Sequence, residues 1–165
     1  MKIYITTSIG KGPTRLAAFD DALLKAGVAN YNLIRLSSII PPGSEIISVE
    51  GPIKNPPGSW GDRLYVVMAD QRIETPNVEA WAGIGWVQDT KTGRGLLVEH
   101  ENYSETAVTG DIEQSLGALK RGRNVHWDSL KKRVVGEACH GEPVCALAVA
   151  VFQADDWQNN HLPTA

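Results

Sequence analysis

The chain has 165 residues, of which 42% are hydrophobic and 21% charged, and these values fit a single soluble domain with its own core. The formal net charge of −3 gives no reason to expect a nucleic acid or an anionic membrane as partner. No apolar run is long enough to span a bilayer, and the N-terminus lacks the apolar core of a signal peptide, so a cytoplasmic location is expected.

Apolar periodicity predicts the elements in chain order. Residues 2–7 alternate apolar and polar side chains and predict a strand. Thr14 is a suitable N-cap for a helix over 15–26, which Gly27 would end. A second helix is predicted over 105–120. Further strands are predicted over residues 31–36, 45–49, 64–69, 79–87, 95–101, 130–136 and 144–153.

Two helices among many strands predict an α+β fold in which helices pack on sheet faces. The polar residues 154–165 are expected to be frayed. Cys139 and Cys145 give no disulfide framework and are expected to be buried thiols. Together with His140 they match no zinc-binding spacing, so no metal is expected.

The first helix carries two adjacent aspartates. Residues placed about 100° apart put Asp20 inside an apolar stripe that contains Leu16 and Leu24, whereas Asp21 points towards solvent. A buried carboxylate needs a cationic or hydrogen-bonding partner. Asp20 therefore either forms a structural pair, with Arg35 or with backbone amides, or belongs to a binding site.

Glu99 also has two interpretations. It follows an apolar run in the segment GLLVEHE and shares a strand face with Leu97. It could simply lie at the solvent-exposed end of a half-buried face. Alternatively, an apolar setting could keep it protonated and make it a general acid.

The segment ITTSIGKGPTRLAAF combines a strand, a glycine-rich turn and a helix. Such a turn can hold a phosphate. Arg15, however, replaces the third glycine of a dinucleotide fingerprint, and no P-loop sequence is present. A non-catalytic module that binds a small anion is therefore kept only as an alternative.

Ser37 and Ser38 end the second strand, and two prolines follow shortly after them. Pro41 favours an extended conformation at Ile40. The serine pair thus lies between two stiff segments, where backbone strain could be stored.

These residues lead to a resemblance. Residues 17–46, AAFDDALLKAGVANYNLIRLSSIIPPGSEI, resemble the core of the pyruvoyl-dependent arginine decarboxylases, whose pattern is an AFD.ALL helix followed by GI.N.NLIR.SS..PP. Residues 95–101 resemble the family's GL..EYEG stretch and put Glu99 at the catalytic glutamate. The resemblance covers most of residues 2–153 and is specific in 17–46.

The resemblance implies a proenzyme. The Ser38 hydroxyl would attack the Ser37 carbonyl in an N→O acyl shift. Cleavage would divide the single domain, residues 1–165, into 1–37 and 38–165, with a covalently bound pyruvoyl group derived from Ser38. Gly43–Ser44 is a competing cleavage point, because related decarboxylases cut at Gly-Ser, but it lies outside the matched strand.

The resemblance also implies a reaction. L-Arginine would form a Schiff base with the pyruvoyl group and yield agmatine and CO₂, without metal or pyridoxal phosphate. Glu99 would donate the proton, and Asp20 would bind the guanidinium group. Asn32 and the new carboxylate of Ser37 would line the same pocket.

The family's fold is a four-layer αββα sandwich of mainly antiparallel sheets, assembled as a homotrimer with sites between subunits. One chain would then hold only part of each site. Asp21 and the segment WAGIGWVQ depart from the family's pattern, so a relative that decarboxylates a different amino acid is the alternative. Polyamine synthesis and acid resistance are two candidate uses of the reaction.

Overall fold

The computed structural model describes residues 1–157, so most of the tail predicted to fray, residues 158–165, lies outside the described residues. The helices are α1 (Arg15–Ala26) and α2 (Glu105–Arg121). The strands are β1 (Lys2–Lys11), β2 (Asn32–Arg35), β3 (Ile39–Ile40), β4 (Glu45–Ser48), β5 (Arg63–Ile73), β6 (Glu79–Gln88), β7 (Gly95–Asn102), β8 (Lys131–Ala138) and β9 (Val144–Asp155).

The strands form two sheets. Sheet I has the order β2-β5-β9-β1-β4, and sheet II has the order β3-β7-β6-β8. The pairs β1–β4 and β2–β5 are parallel, and the other pairs are antiparallel. The predicted α+β class with mainly antiparallel sheets is therefore confirmed.

The helices cover the outer faces of the two sheets. Ile5, Val67 and Ile84 belong to the core between the sheets. A second apolar cluster lies between α1 and sheet I, and a third lies between α2 and sheet II. The layers are thus α1, sheet I, sheet II and α2, which confirms the predicted αββα sandwich.

Helix α1 has the predicted ends. The Thr14 side chain accepts a hydrogen bond from the amide of Ala17 at 3.1 Å, and Gly27 ends the helix with a φ of 82°. Neither α1 nor α2 is long and apolar enough to cross a membrane.

The predicted apolar stripe of α1 is wrong at Leu16 and Leu24, whereas Leu23 and Phe19 do pack towards the core. The buried residues of the helix are Ala18, Ala22, Leu23 and Ala26. Leu16 and Leu24, by contrast, are 69% and 56% exposed. Small side chains face the sheet because α1 lies very close to β1, and the larger leucines are left on the outer face.

The two aspartates of α1 consequently exchange their predicted environments. Asp20 is exposed on the same outer face as the leucines. Asp21 is half-buried, accepts a hydrogen bond from the amide of Lys11 at 2.8 Å and pairs with Lys25 at 2.7 Å. Asp21 therefore fixes α1 to the end of β1 instead of adding a free charge.

Gly10 sets the distance between β1 and α1. A Cβ atom at this position would lie 2.0 Å from the carbonyl oxygen of Ala18 and 2.3 Å from the amide nitrogen of Ala22. Both contacts are to backbone, so rotation of a side chain cannot relieve them. Gly10 lies within β1, because the strand continues to Lys11 instead of ending at residue 7 as predicted.

We expect Gly10→Ala to destabilise the fold by about 3 kcal/mol, because α1 must move away from sheet I. Urea denaturation followed by circular dichroism measures the change. Gly110→Ala is the matched control, since no atom outside its own helix lies within 4 Å of a Cβ there. Equal unfolding free energies for the two variants would contradict the close contact.

Candidate active site

Ser38 has a strained backbone. Its φ is 67°, in the left-handed region that residues other than glycine, asparagine and aspartate rarely adopt. Such a conformation costs about 1–3 kcal/mol and persists only where surrounding contacts hold it. The strain predicted for the serine pair is thus confirmed at Ser38.

The contacts that hold Ser38 come from sheet II. β3 pairs with β7 in the register Ile39↔Leu96 and Ile40↔Gly95. The amide of Leu97 donates a hydrogen bond to the Ser38 carbonyl oxygen at 2.9 Å. The short strand β3 is not predicted by the sequence pattern, although it places the serine beside β7.

The Ser38 side chain is bonded to Glu99. The Ser38 Oγ donates a hydrogen bond to the Glu99 Oε2 at 2.7 Å. Alternation along β7 puts Glu99 on the same face as the buried Leu97, so the carboxyl group is half-buried. A carboxylate in this position can accept the hydroxyl proton and return it later.

A cavity of about 440 Å³ opens beside this pair. Its wall consists of segments from the serine pair, β7 and α2, with the residues Ser37, Ser38, Leu97, Val98, Glu99, His100, Ser115, Ala118 and Leu119. The lining combines polar side chains with the apolar residues Leu97, Val98, Ala118 and Leu119. The cavity has the mixed lining of a small-molecule site.

His100 and Ser115 belong to this wall and were not among the predicted site residues. The His100 Nε2 and the Ser115 Oγ are 2.8 Å apart. The two residues come from β7 and α2, so only the packing of the helix on sheet II brings them together. No spacing in the sequence indicates this pair.

Among residues 1–157, no carboxylate or histidine is hydrogen-bonded to the competing cleavage point. Gly43 has a φ of 70°, and its carbonyl oxygen accepts a hydrogen bond from the Met1 ammonium group at 2.9 Å. The Ser44 Oγ is buried and has no hydrogen-bond partner within residues 1–157. Glu99 beside Ser38 therefore favours the Ser37–Ser38 bond.

The structure does not bring Asp20 or Asn32 into the cavity of the same chain. Asp20 is exposed, and Arg35 pairs with Asp70 at 2.5 Å instead of with Asp20. The Asn32 Nδ2 donates to the carbonyl oxygen of Gly61 at 2.5 Å. Of the five predicted site residues, only Ser37, Ser38 and Glu99 meet within one chain.

Two amides of the glycine-rich turn are already hydrogen-bonded within the chain. The Lys11 amide donates to Asp21, and the Gly12 amide donates to the carbonyl oxygen of Pro143 at 3.2 Å. Thr14 caps the N-terminus of α1. These bonds argue against the alternative of an anion-binding module.

A second carboxyl group lies on the same face of β7. Burial raises the pKa of Glu101, and the negative charge of Asp70 adds to the rise, although Arg35 opposes it. The Glu101 side chain is not part of the cavity wall. Glu99 is therefore the carboxyl group that can exchange a proton with Ser38.

Both cysteines are buried free thiols, as predicted. Burial raises the pKa of Cys145 to about 12, so this thiol does not form a nucleophilic thiolate near neutral pH. Within residues 1–157, no three histidine, cysteine, aspartate or glutamate side chains come together as a metal-binding group.

Fold and site together define an αββα protein in which a strained serine is bonded to a glutamate beside a cavity. The family model for pyruvoyl-dependent arginine decarboxylase matches residues 2–156. The chain therefore belongs to the pyruvoyl-dependent arginine decarboxylase family, as the resemblance implied, and this is a family of carboxy-lyases.

Individual proteins of this family are also similar to the chain. The chain is 34% identical to a pyruvoyl-dependent arginine decarboxylase of Picrophilus torridus over 82% of this chain and 78% of the relative. It is 32% identical to the enzyme of the same name from Halobacterium salinarum, over 94% of this chain and 96% of the relative. It is 30% identical to the enzyme of the same name from Methanothermobacter thermautotrophicus, over 91% of this chain and 93% of the relative. The match thus extends over nearly all of the chain.

Proposed function

We propose that this chain is a proenzyme that cuts itself between Ser37 and Ser38 and then converts L-arginine to agmatine and CO₂. The observation that carries the proposal is the hydrogen bond from the strained Ser38 to Glu99. Family membership supports the same reaction.

Self-cleavage begins at the Ser38 hydroxyl group. Glu99 accepts its proton, and the Ser38 Oγ attacks the carbonyl carbon of Ser37. The peptide C–N bond then breaks, which gives an ester and a free amino group on residue 38. The left-handed φ of Ser38 favours this step, because cleavage releases the backbone strain.

Elimination completes the cut. Removal of the Cα proton of residue 38 breaks the Cβ–O bond, leaving a carboxylate on Ser37 and dehydroalanine at position 38. Water replaces the nitrogen, which leaves as ammonia. The products are residues 1–37 and residues 38–165 with an N-terminal pyruvoyl group.

The residues around Ser38 fit a pyruvoyl group at position 38. The Leu97 amide already binds the carbonyl oxygen of residue 38, and the cavity provides space for substrate. The pyruvoyl group supplies the carbonyl that receives an amino group and the acceptor for the electrons that CO₂ leaves behind. Glu99 then acts as the acid that returns a proton, and Leu97 limits its contact with water.

Recognition of arginine requires a second copy of the chain. Asp20 lies on the outer face of α1, between the exposed Leu16 and Leu24. Apolar side chains around a carboxylate suit a subunit interface. We therefore place Asp20, and with it Asn32, in a site completed between subunits of a homotrimer, where the carboxylate binds the guanidinium group.

We expect Asp20→Asn to raise the KM for arginine about 10- to 100-fold, because a charge-assisted bond is lost. Self-cleavage should be unaffected. Asp21→Asn is the matched control, since the Asp21 carboxylate is engaged by Lys25 and Lys11. Steady-state kinetics of the two variants test the assignment, and an unchanged KM for Asp20→Asn would overturn it.

The substrate is tested by release of CO₂ from arginine, lysine and ornithine. Turnover of arginine at the highest kcat/KM, with agmatine as product, is the expected result. Faster turnover of another amino acid by the cleaved protein would establish the alternative, a relative with a different substrate. Cleaved protein that is inactive on all three amino acids would also contradict the proposed substrate.

A further inference from the structure

His100 occupies a defined place in the cavity wall. It follows Glu99 on β7 but lies on the opposite face of the strand, towards α2, with Leu96 and Val98. Its Nε2 is bonded to the Ser115 Oγ. Its Nδ1 has no hydrogen-bond partner among residues 1–157, so it remains available to another group.

The cavity wall contains only two ionisable side chains among the described residues. They are Glu99 and His100, and the other lining residues are serines and apolar residues. His100 is thus the one side chain of this wall that can carry positive charge. Histidine changes its charge near neutral pH.

Self-cleavage, as proposed above, creates a carboxylate in this cavity. Ser37 lines the cavity, and its carbonyl carbon becomes the new C-terminal carboxylate. A second negative charge near Glu99, against apolar walls, is unfavourable unless a cation compensates it. Arg35, the nearest preceding cation in the chain, is already paired with Asp70.

We propose that His100 is a positioning residue whose ring, anchored through Nε2 by Ser115, binds the carboxylate that self-cleavage creates on Ser37. This ion pair keeps the end of residues 1–37 beside the new N-terminus of residues 38–165. The inference rests on the proposed self-cleavage. It concerns a residue that differs from the family's tyrosine in the stretch GL..EYEG.

The shared cavity wall supports this contact. Ser37, Val98 and His100 line the same cavity, and Val98 lies on the α2 face of β7 together with His100. The Leu97 amide holds the Ser38 carbonyl oxygen at this end of β7. The carboxylate formed on Ser37 and the imidazole therefore face one cavity.

Besides Glu99, the charged groups near His100 lie on α2 and β7 and take no part in cleavage. Asp111 lies one helical turn before Ser115 on α2 and accepts a hydrogen bond from Asn102 at 3.1 Å. Glu101 interacts electrostatically with His100 along β7. Gly83, opposite His100 on β6, carries no charge. Cut and uncut protein therefore differ near His100 in the Ser37 carboxylate and in Glu99, which loses the hydrogen bond from the Ser38 hydroxyl.

A double-mutant cycle tests the proposal. The four proteins are the wild type, His100→Gln, the uncut Ser38→Ala variant and the double variant. Their thermal midpoints are measured at one protein concentration and about pH 6.5, where a histidine ring is charged to a substantial extent. His126→Gln is the matched control, because His126 is exposed and lies outside the cavity.

We expect His100→Gln to lower the midpoint of the cleaved protein by about 2–4 °C more than that of the uncut protein. The excess should be absent at alkaline pH, where histidine is neutral. An equal loss in both backgrounds would mean that only the bond to Ser115 matters, and it would overturn the proposal. His100→Tyr, which keeps a ring but no charge, should behave like His100→Gln.

A second readout does not depend on stability. The ¹⁵N signals of the His100 ring should show a larger protonated fraction in cleaved protein than in Ser38→Ala at the same pH. Equal fractions would overturn the ion pair. An uncut wild-type chain would instead refute the proposed function itself. Failure of His100→Gln to cleave would place His100 in the cleavage step and overturn its assignment as a residue that acts after the cut.

Discussion

Replacement of Ser38 by alanine is expected to leave a single uncut chain that does not decarboxylate arginine. The methyl group cannot attack the Ser37 carbonyl, so neither the ester nor the pyruvoyl group can form. Because alanine at a φ of 67° is strained in the same way, the variant should fold to the same sandwich. Circular dichroism checks the fold. Mass spectrometry checks the loss of cleavage, and a CO₂ assay checks the loss of decarboxylation.

Ser44→Ala is the matched control for this experiment. The Ser44 hydroxyl is buried next to Gly43 and has no hydrogen-bond partner among the described residues. Its removal should leave the cut after Ser37 and the turnover of arginine unchanged. Two fragments from Ser38→Ala, or an uncut chain from Ser44→Ala, would move the cleavage point to Gly43–Ser44.

Glu99→Gln is expected to reduce turnover of arginine by about 10²- to 10⁴-fold, the usual contribution of a general acid. The amide keeps the shape of the side chain but cannot donate or accept the proton in the same way. Self-cleavage should also slow, because the Ser38 hydroxyl loses the group that accepts its proton at 2.7 Å. A time course of fragment formation, together with single-turnover kinetics, separates the two effects.

Glu101→Gln provides the comparison for Glu99. Glu101 lies on the same face of β7, two residues further along, but it is not bonded to Ser38 and does not line the cavity. The Glu101 variant should retain cleavage and turnover. If the two glutamine variants lose activity equally, the effect comes from the charge of the strand and not from a proton exchanged with Ser38.

The serine pair and the glutamate that meet at the cavity could be singled out from local sequence. The adjacent serines, the prolines after them and a glutamate at the end of an apolar strand are short-range features. Alternation on β7 correctly places Glu99 beside Leu97. Pairing of β3 with β7 could not be predicted, because two residues give no periodicity and their partner lies far away in the chain.

The orientation of α1 could not be predicted from hydrophobicity. Its helical pattern offers a leucine stripe and an alanine stripe, and leucine normally indicates the buried face. Here the distance fixed by Gly10 selects Ala18 and Ala22. The exposed leucines beside Asp20 are explained by the proposed assembly and not by the fold of one chain.

The apolar pattern also predicts too short a β5. It ends the strand at residue 69, but β5 continues to Ile73 in register with β9. Asp70 and Arg72 interrupt the apolar pattern there. Their charges are paired with each other at 2.6 Å, so the sheet tolerates polar residues that a periodicity argument excludes.

The most direct test of the central claim is the intact mass of the purified wild-type protein under denaturing conditions. The account predicts two fragments, residues 1–37 and 38–165, with the larger lighter by one ammonia than a fragment that begins with serine. A single uncut chain, or a larger fragment with an unmodified N-terminal serine, would contradict it.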